Sequence, residues 1–146
     1  MGRDTRASGE FLDHAISAGL ASSGIDVTRV GVLPTPAIAH LTATQDIELG
    51  VMISASHNPA QYNGVKLCRA GAKPVSTDTG LAAISQLILD GVPAYEGVAG
   101  SVEKRDVLSD YAAFLRELVP VPSRRPLVVA VDAANGMAGL TVPAVL

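Results

Sequence analysis

Residues 49–70 read LGVMISASHNPAQYNGVKLCRA, and the fold follows from how this stretch changes character. From Leu49 to Ser54 it is an apolar run of strand length. From Ala55 to Asn63 it is rich in Ser, His, Asn and Pro, residues that favour turns because their side chains bond nearby backbone or fix its dihedrals. Gly64 to Ala70 becomes apolar again through Val65, Leu67 and Cys68 and reads as another strand. A strand without polar alternation is covered on both faces, so the run at Leu49 predicts a sheet sandwiched between helices.

Upstream, Ser8 to Ser23 reads as a helix, with Ser8 as N-cap, Leu12, Ile16 and Leu20 on one stripe, and Gly24 past its last turn. Val27, Val30, Val32 and Leu33 form a β-branched run stopped by Pro34, and an Ala-rich segment from Pro36 to about Thr44 reads as a second helix. Downstream, Leu81, Ile84, Leu87 and Ile88 give Thr77 to Asp90 a helical period that ends at Gly91. Val107, Tyr111, Phe114 and Leu118 do the same for Asp106 to Leu118, after a weakly patterned stretch from Val92 to Glu103. Val119 to Pro126 carries three prolines and two arginines and reads as a linker. Leu127 to Val131 then predicts a fresh buried strand, Asp132 to Gly139 a turn, and Thr141 the cap of a further helix. The expected fold class is therefore α/β: a three-layer α/β/α arrangement around a mixed, mainly parallel sheet over residues 1–120, followed at 126–146 by the first strand of a second similar domain. Gly2-Arg3-Asp4 looks like the exit of a strand, so the chain reads as a fragment at both ends.

The 146 residues suffice for one domain with a sizeable core. Apolar residues make up 48% and charged residues 17%, which excludes a disordered chain, and no unbroken apolar run approaches the ~18 residues of a membrane span. The net charge of −3, with Lys and Arg scattered, argues against nucleic acid and membrane surfaces as partners. A single cysteine, Cys68, excludes a disulfide framework, and no leader pattern precedes Gly2, so the expected compartment is cytoplasmic. His14 and His40 read as surface or cap residues, and Cys68 as a small buried hydrophobe.

Chemistry concentrates at Ser54-Ala55-Ser56-His57-Asn58-Pro59, directly after a strand. In open α/β sheets ligands sit beyond the carboxyl ends of strands, which makes Ser56 a candidate nucleophile. A serine-rich turn whose side chains only bond local backbone remains the alternative. Lys66 lies on the following strand. If that strand runs back beside the first, its ammonium reaches the same pocket as an acid/base group; otherwise it is an edge lysine with its charge in water. Arg3 and Arg6 flank Asp4 at another strand exit and suit phosphate through their planar forks, with a local salt bridge to Asp4 as the alternative. Pro34-Thr35-Pro36 adds a third loop along the same edge, whereas Asn135 to Gly139 lacks dinucleotide-loop spacing and reads as a structural turn.

The run GVMISASHNPAQYNGVKL, Gly50 to Leu67, resembles the phosphoserine loop of the α-D-phosphohexomutases, the phosphoglucomutases, phosphomannomutases and phosphoglucosamine mutases. Gly2-Arg3-Asp4-Thr5-Arg6, Val32-Leu33-Pro34-Thr35-Pro36 and Val131-Asp132-Ala133-Ala134-Asn135-Gly136 accompany it in family order. The continuation Lys66 to Gly71 is more similar to bacterial phosphomannomutases, which favours mannose phosphate as the substrate, with phosphoglucomutase and phosphoglucosamine mutase as the alternatives. The resemblance implies reversible exchange between hexose 1-phosphate and hexose 6-phosphate through phosphoserine at Ser56 and a bound hexose 1,6-bisphosphate. It further implies Ser56, Lys66, His57 and Arg3 as catalytic groups, and Arg3, Arg6 and Asn58 as substrate and phosphate ligands. Mg²⁺ is implied as cofactor, with Ser56 supplying one ligand and the rest coming from a D-G-D-x-D-R loop that this sequence does not contain, so activity of these 146 residues alone is not expected. The rival from another class is a noncatalytic α/β scaffold domain whose serine is never phosphorylated. The motifs leave the oligomeric state open.

Overall fold

Side chains alternate across a strand, so consecutive residues of a central strand must each find a different helix. The computed structural model, which describes residues 1–121 and 126–146, shows this at Gly2-Arg3. A Cβ on Gly2 would lie 2.8 Å from Ile38 Cδ1 of the second helix, while Arg3, on the opposite face, packs its stem under Gly9 of the first. Strands β1 (Gly2–Arg3), β3 (Gly31–Val32), β4 (Leu49–Ile53), β5 (Val65–Arg69) and β6 (Lys73–Pro74) form one sheet in the order β3-β1-β4-β5-β6. Pairing is parallel from β3 through β1 to β4 and antiparallel from β4 through β5 to β6. Helices α1 (Gly9–Ser22) and α2 (Thr35–Thr44) cover opposite faces, giving the expected α/β/α layering.

Val51, Met52 and Ile53 are almost fully buried, as an unalternating strand predicts. Around Leu33, Ala37 and Leu41 the core continues onto Val107 and Tyr111 of the segment that enters α4 (Leu108–Leu118). His40, expected at the surface, instead stacks on Phe114 of α4 with ring centroids 3.9 Å apart. Asp13 is buried and accepts from Arg29 Nε and Nη2 at 3.1 and 2.6 Å, which ties α1 to the next strand and raises the Arg29 pKa.

Several further readings need correction. The run Val27 to Leu33 is two strands, because Gly31 adopts φ +72° and turns the chain. β2 (Val27–Arg29) therefore leaves the main sheet and pairs in parallel with β7 (Val102–Lys104), a strand hidden in the weakly patterned stretch. Leu127 to Val131 forms no strand among the described residues and is exposed, since a strand exists only against a ladder partner and none lies beside it. Helix α3 (Leu81–Asp90) forms, but none of its residues is buried, so its apolar stripe at Ile84, Leu87 and Ile88 faces outward rather than onto the sheet. The linker expectation at Val119 to Pro126 falls partly on residues 122–125, which lie outside the described residues. Beyond it, α5 (Ala138–Val145) packs on α4, with Arg116 Nη1 donating to the Ala144 carbonyl at 2.6 Å, and Thr141 lies inside this helix rather than capping it. No helix among the described residues is long and apolar enough to cross a membrane.

Gly50 lets α2 approach β4. A Cβ there would run into Thr42 Oγ1 and stand 2.6 Å from Cys68 Sγ, both in the packed layer. Gly50→Ala is therefore expected to destabilise the protein by about 1–3 kcal/mol, the usual cost of overpacking, seen as a lower urea midpoint with an unchanged slope.

Candidate active site at the carboxyl edge of the sheet

At the end of β4 the chain must leave the sheet within a few residues, and it does so through two polar anchors. Ser54 is buried; its N–H donates to the Gly64 carbonyl at 2.9 Å, closing the loop base, and its Oγ accepts the Ser56 N–H at 3.0 Å. A Cβ on Gly64 would stand 3.2 Å from the Ser54 carbonyl oxygen, so glycine permits this close pairing. Ser56 itself adopts φ +56°, a left-handed conformation that is uncommon for a residue with a Cβ and costs roughly 1–3 kcal/mol. The turn lifts Ser56, His57 and Asn58 out of the sheet into solvent. Among the described residues the Ser56 hydroxyl has no hydrogen-bond partner.

These three residues line an open cleft of about 1070 Å³ at the carboxyl edge of β1, β3 and β4. Asp4, Thr5 and Arg6 form its wall after β1, and Pro34-Thr35-Pro36 forms the wall after β3, at the amino end of α2. Asn135 and Gly136, read from sequence as a structural turn, close a further side, with the Thr5 hydroxyl donating to the Asn135 carbonyl at 3.3 Å. Their signal was the Val131-to-Gly136 motif, whose spatial placement only the fold reveals. A second cavity of about 750 Å³ lies at the amino end of β4 and contains none of the motif residues named above apart from Val51, Gly50 and neighbouring core.

The remaining candidates fall in different places. Lys66 is opposite Met52 in the antiparallel ladder, so its side chain leaves the sheet on the face shared by Met52 and Ser54; those two line the cleft, and Lys66 does not. It is exposed and makes no hydrogen bond or ion pair among the described residues. Arg3 points to the other face, its Nη2 3.8 Å from Glu10 Oε2, and does not line the cleft. Arg6 is engaged throughout: Nε meets Asp4 Oδ2 at 3.2 Å, Nη1 donates to the Pro59 and Tyr62 carbonyls at 2.8 Å each, and Nη2 donates to the Ser56 and Asn58 carbonyls at 2.8 and 2.6 Å. The salt bridge to Asp4 weighed for this residue is thus present, and no guanidinium proton is left for a phosphate in this conformation.

Among the described residues no group of three or more His, Cys, Asp or Glu side chains converges as a metal site. Asp4, the single carboxylate lining the cleft among the described residues, is held by the Arg6 backbone N–H at 3.0 Å and by its Nε. Mg²⁺ takes near-octahedral oxygen ligands, so the residues present do not by themselves fit a Mg²⁺ site.

The chain is 44% identical over 146 residues to a phosphoglucosamine mutase of Corynebacterium diphtheriae, an alignment covering 98% of this chain and 32% of that protein. It is 47% identical over 148 residues to a phosphoglucosamine mutase of Frankia casuarinae, covering all of this chain and again 32% of the relative. A solved phosphoglucomutase/phosphomannomutase family protein from Burkholderia thailandensis superposes with a TM-score of 0.80 at 30% identity, over 99% of this chain and 32% of that one. The chain thus spans about a third of the length of the curated relatives it matches. Residues 1–92, which include the Ser56 loop and Lys66, match the model for phosphoglucomutase/phosphomannomutase, alpha/beta/alpha domain I. With that match over most of its length and the same layered fold, this chain belongs to the phosphoglucomutase/phosphomannomutase family.

Proposed function

We propose that residues 1–120 are the phosphoserine domain of a phosphohexomutase and that residues 126–146 begin its second domain. The observation that carries this reading is Ser56: an exposed hydroxyl on a left-handed turn, facing a cleft, inside the segment matched to domain I. Phosphoserine at this position gives its phosphoryl group to the free hydroxyl of a hexose 1-phosphate. The new phosphorus–oxygen bond to the sugar forms as the bond to Ser56 Oγ breaks, the sugar hydroxyl loses a proton, and Oγ gains one. Lys66, on the cleft's sheet face, is the side chain assigned to move that proton. After the bisphosphate turns over, the same steps in reverse return the other phosphoryl group to Ser56 and release hexose 6-phosphate. His57 and Asn58 flank the sugar from the loop. No step is assigned to Mg²⁺ here, since these residues do not form its site.

The names of the sequence relatives support glucosamine phosphate as the substrate over the mannose phosphate expected from Lys66 to Gly71. In a full-length protein carrying this segment, intact-mass analysis is expected to find one phosphoryl group, on Ser56. Rates with glucosamine, mannose and glucose 1-phosphates are expected to be highest for the first. A protein that carries no phosphoryl group and turns over none of the three is a scaffold domain, and the proposal fails.

A further inference from the structure

Left-handed backbone at a residue with a Cβ persists only where its surroundings over-determine it. The Ser56 loop has few other restraints. Its residues from Ser56 to Tyr62 are all exposed, so no hydrophobic packing fixes their path, and Pro59 contributes no N–H. Inside the loop, Asn58 donates to the Ala55 carbonyl at 3.1 Å and Tyr62 to the Pro59 carbonyl at 3.0 Å, two local turns that leave the loop's overall position undetermined. The loop's ends are tied by the Ser56 N–H to Ser54 Oγ at 3.0 Å and by Asn63 Nδ2, which donates to Ser8 Oγ at 3.0 Å, but what gathers the turns between them is the side chain of Arg6. Four loop carbonyls, those of Ser56, Asn58, Pro59 and Tyr62, converge on the Arg6 guanidinium. Asp4 aims that guanidinium: its Oδ1 accepts the Arg6 N–H at 3.0 Å and its Oδ2 accepts Nε–H at 3.2 Å, while the Asp4 N–H is anchored to the Ile53 carbonyl of β4 at 3.0 Å. Arg6 is nearly buried, with 11% of its side chain exposed.

We propose that Arg6 is a positioning residue, a clasp that holds the Ser56 loop and sets where the Ser56 hydroxyl stands, rather than a ligand of the substrate phosphate. This rests on the reading of Ser56 as the phosphoryl carrier for its kinetic consequence, but not for its structural one. The planar fork is what the task requires: five donors at fixed angles reach five acceptors spread around one plane, a geometry that a three-donor ammonium cannot reproduce. Arg6→Lys keeps the positive charge and loses the fork, which separates a clasp from an anion site. An anion site would retain much of its attraction for phosphate.

The test uses a full-length protein carrying this segment, with Arg6→Lys as the main variant and Arg6→Gln as a second should lysine perturb folding. Hydrogen exchange is followed by peptide, together with steady-state kinetics on a hexose 1-phosphate. Amides of residues 56–63 are expected to exchange at least about tenfold faster in the variant, while those of β4 and β5 stay as in the parent. The expected kinetic signature is a kcat lower by about 10²-fold, the scale of loss for misplacing a reacting atom by an ångström, with KM within about threefold of the parent. Unchanged exchange in residues 56–63 overturns the clasp whatever the kinetics. A KM raised tenfold or more at unchanged kcat also overturns it, because that places Arg6 on the substrate. Should the parent carry no phosphoryl group and show no turnover, the mutase reading falls and the exchange rates alone decide whether Arg6 holds the loop.

Discussion

Ser56→Ala in a full-length protein carrying this segment is expected to abolish mutase turnover, by 10⁴-fold or more, while its melting temperature stays within a degree or two of the parent's. The size of the loss follows from the proposed chemistry: if Ser56 is the phosphoryl carrier, removing Oγ removes the covalent intermediate, and direct transfer between two sugar positions then has no route through this site. Structural neutrality follows from what Ser56 contributes. Its N–H bonds to Ser54 Oγ and its carbonyl to Arg6, both backbone groups that alanine keeps, while its hydroxyl has no partner among the described residues. Alanine tolerates φ +56° no better than serine, but the same contacts enforce it. Ser54 is no substitute carrier, since it is buried and its oxygen already accepts the Ser56 N–H. Turnover of Ser56→Ala within tenfold of the parent, measured by coupled assay, would remove Ser56 from the mechanism.

How legible this was in the sequence depends on the kind of restraint involved. The strand–loop–strand unit at 49–70 could be read because burial dictates side-chain chemistry there: Val51, Met52 and Ile53 must be apolar to be covered by α1 and α2. Helices α2 and α4 could be read for the same reason, through Ile38 and Leu41 and through Tyr111, whereas α1 shows its helical period at Leu12, Ile16 and Leu20 but buries Gly9, Asp13 and Ser17, a face no apolar pattern marks. Val102-Glu103-Lys104 could not, because all three are exposed and the strand exists only through its ladder with β2, a contact made across more than seventy residues. Leu127 to Val131 failed in the opposite sense: strand composition without a strand neighbour among the described residues. In the site, the exposed, turn-forming chemistry of Ser56 to Asn58 was visible from residue types, and taking β5 to run back along β4 places Lys66 on the sheet face of Met52, although Lys66 is not among the residues that line the cleft. The role of Arg6 was not visible. Its partners are carbonyls, which every residue possesses, so nothing in residue identity marks Ser56, Asn58, Pro59 and Tyr62 as its acceptors until the loop path is known. The sequence pattern suggested a phosphate ligand because free guanidinium suits phosphate; this guanidinium is not free.

Lys66→Met is expected to lower kcat by about 10²–10⁴-fold, the range for removing a general acid/base, with no loss of stability. Methionine preserves much of the stem's length and apolar character, and Lys66 is exposed and forms no hydrogen bond among the described residues, so the fold loses nothing by the change. What the site loses is the one basic side chain that the β4–β5 register places opposite Met52, on the sheet face where Met52 and Ser54 floor the cleft. Charge and proton transfer are separated by Lys66→Arg. Arginine keeps a cation at the position but does not deprotonate near neutral pH, so it would restore phosphate attraction and not proton transfer. If Lys66 moves the proton between the sugar hydroxyl and Ser56 Oγ, both variants lose kcat to a similar degree. If Lys66 serves only as a fixed charge, Lys66→Arg recovers most of the rate and only the methionine variant is impaired. Rates within a few-fold of the parent in both variants would mean that Lys66 is a solvated lysine on the sheet and that the proton travels by another group.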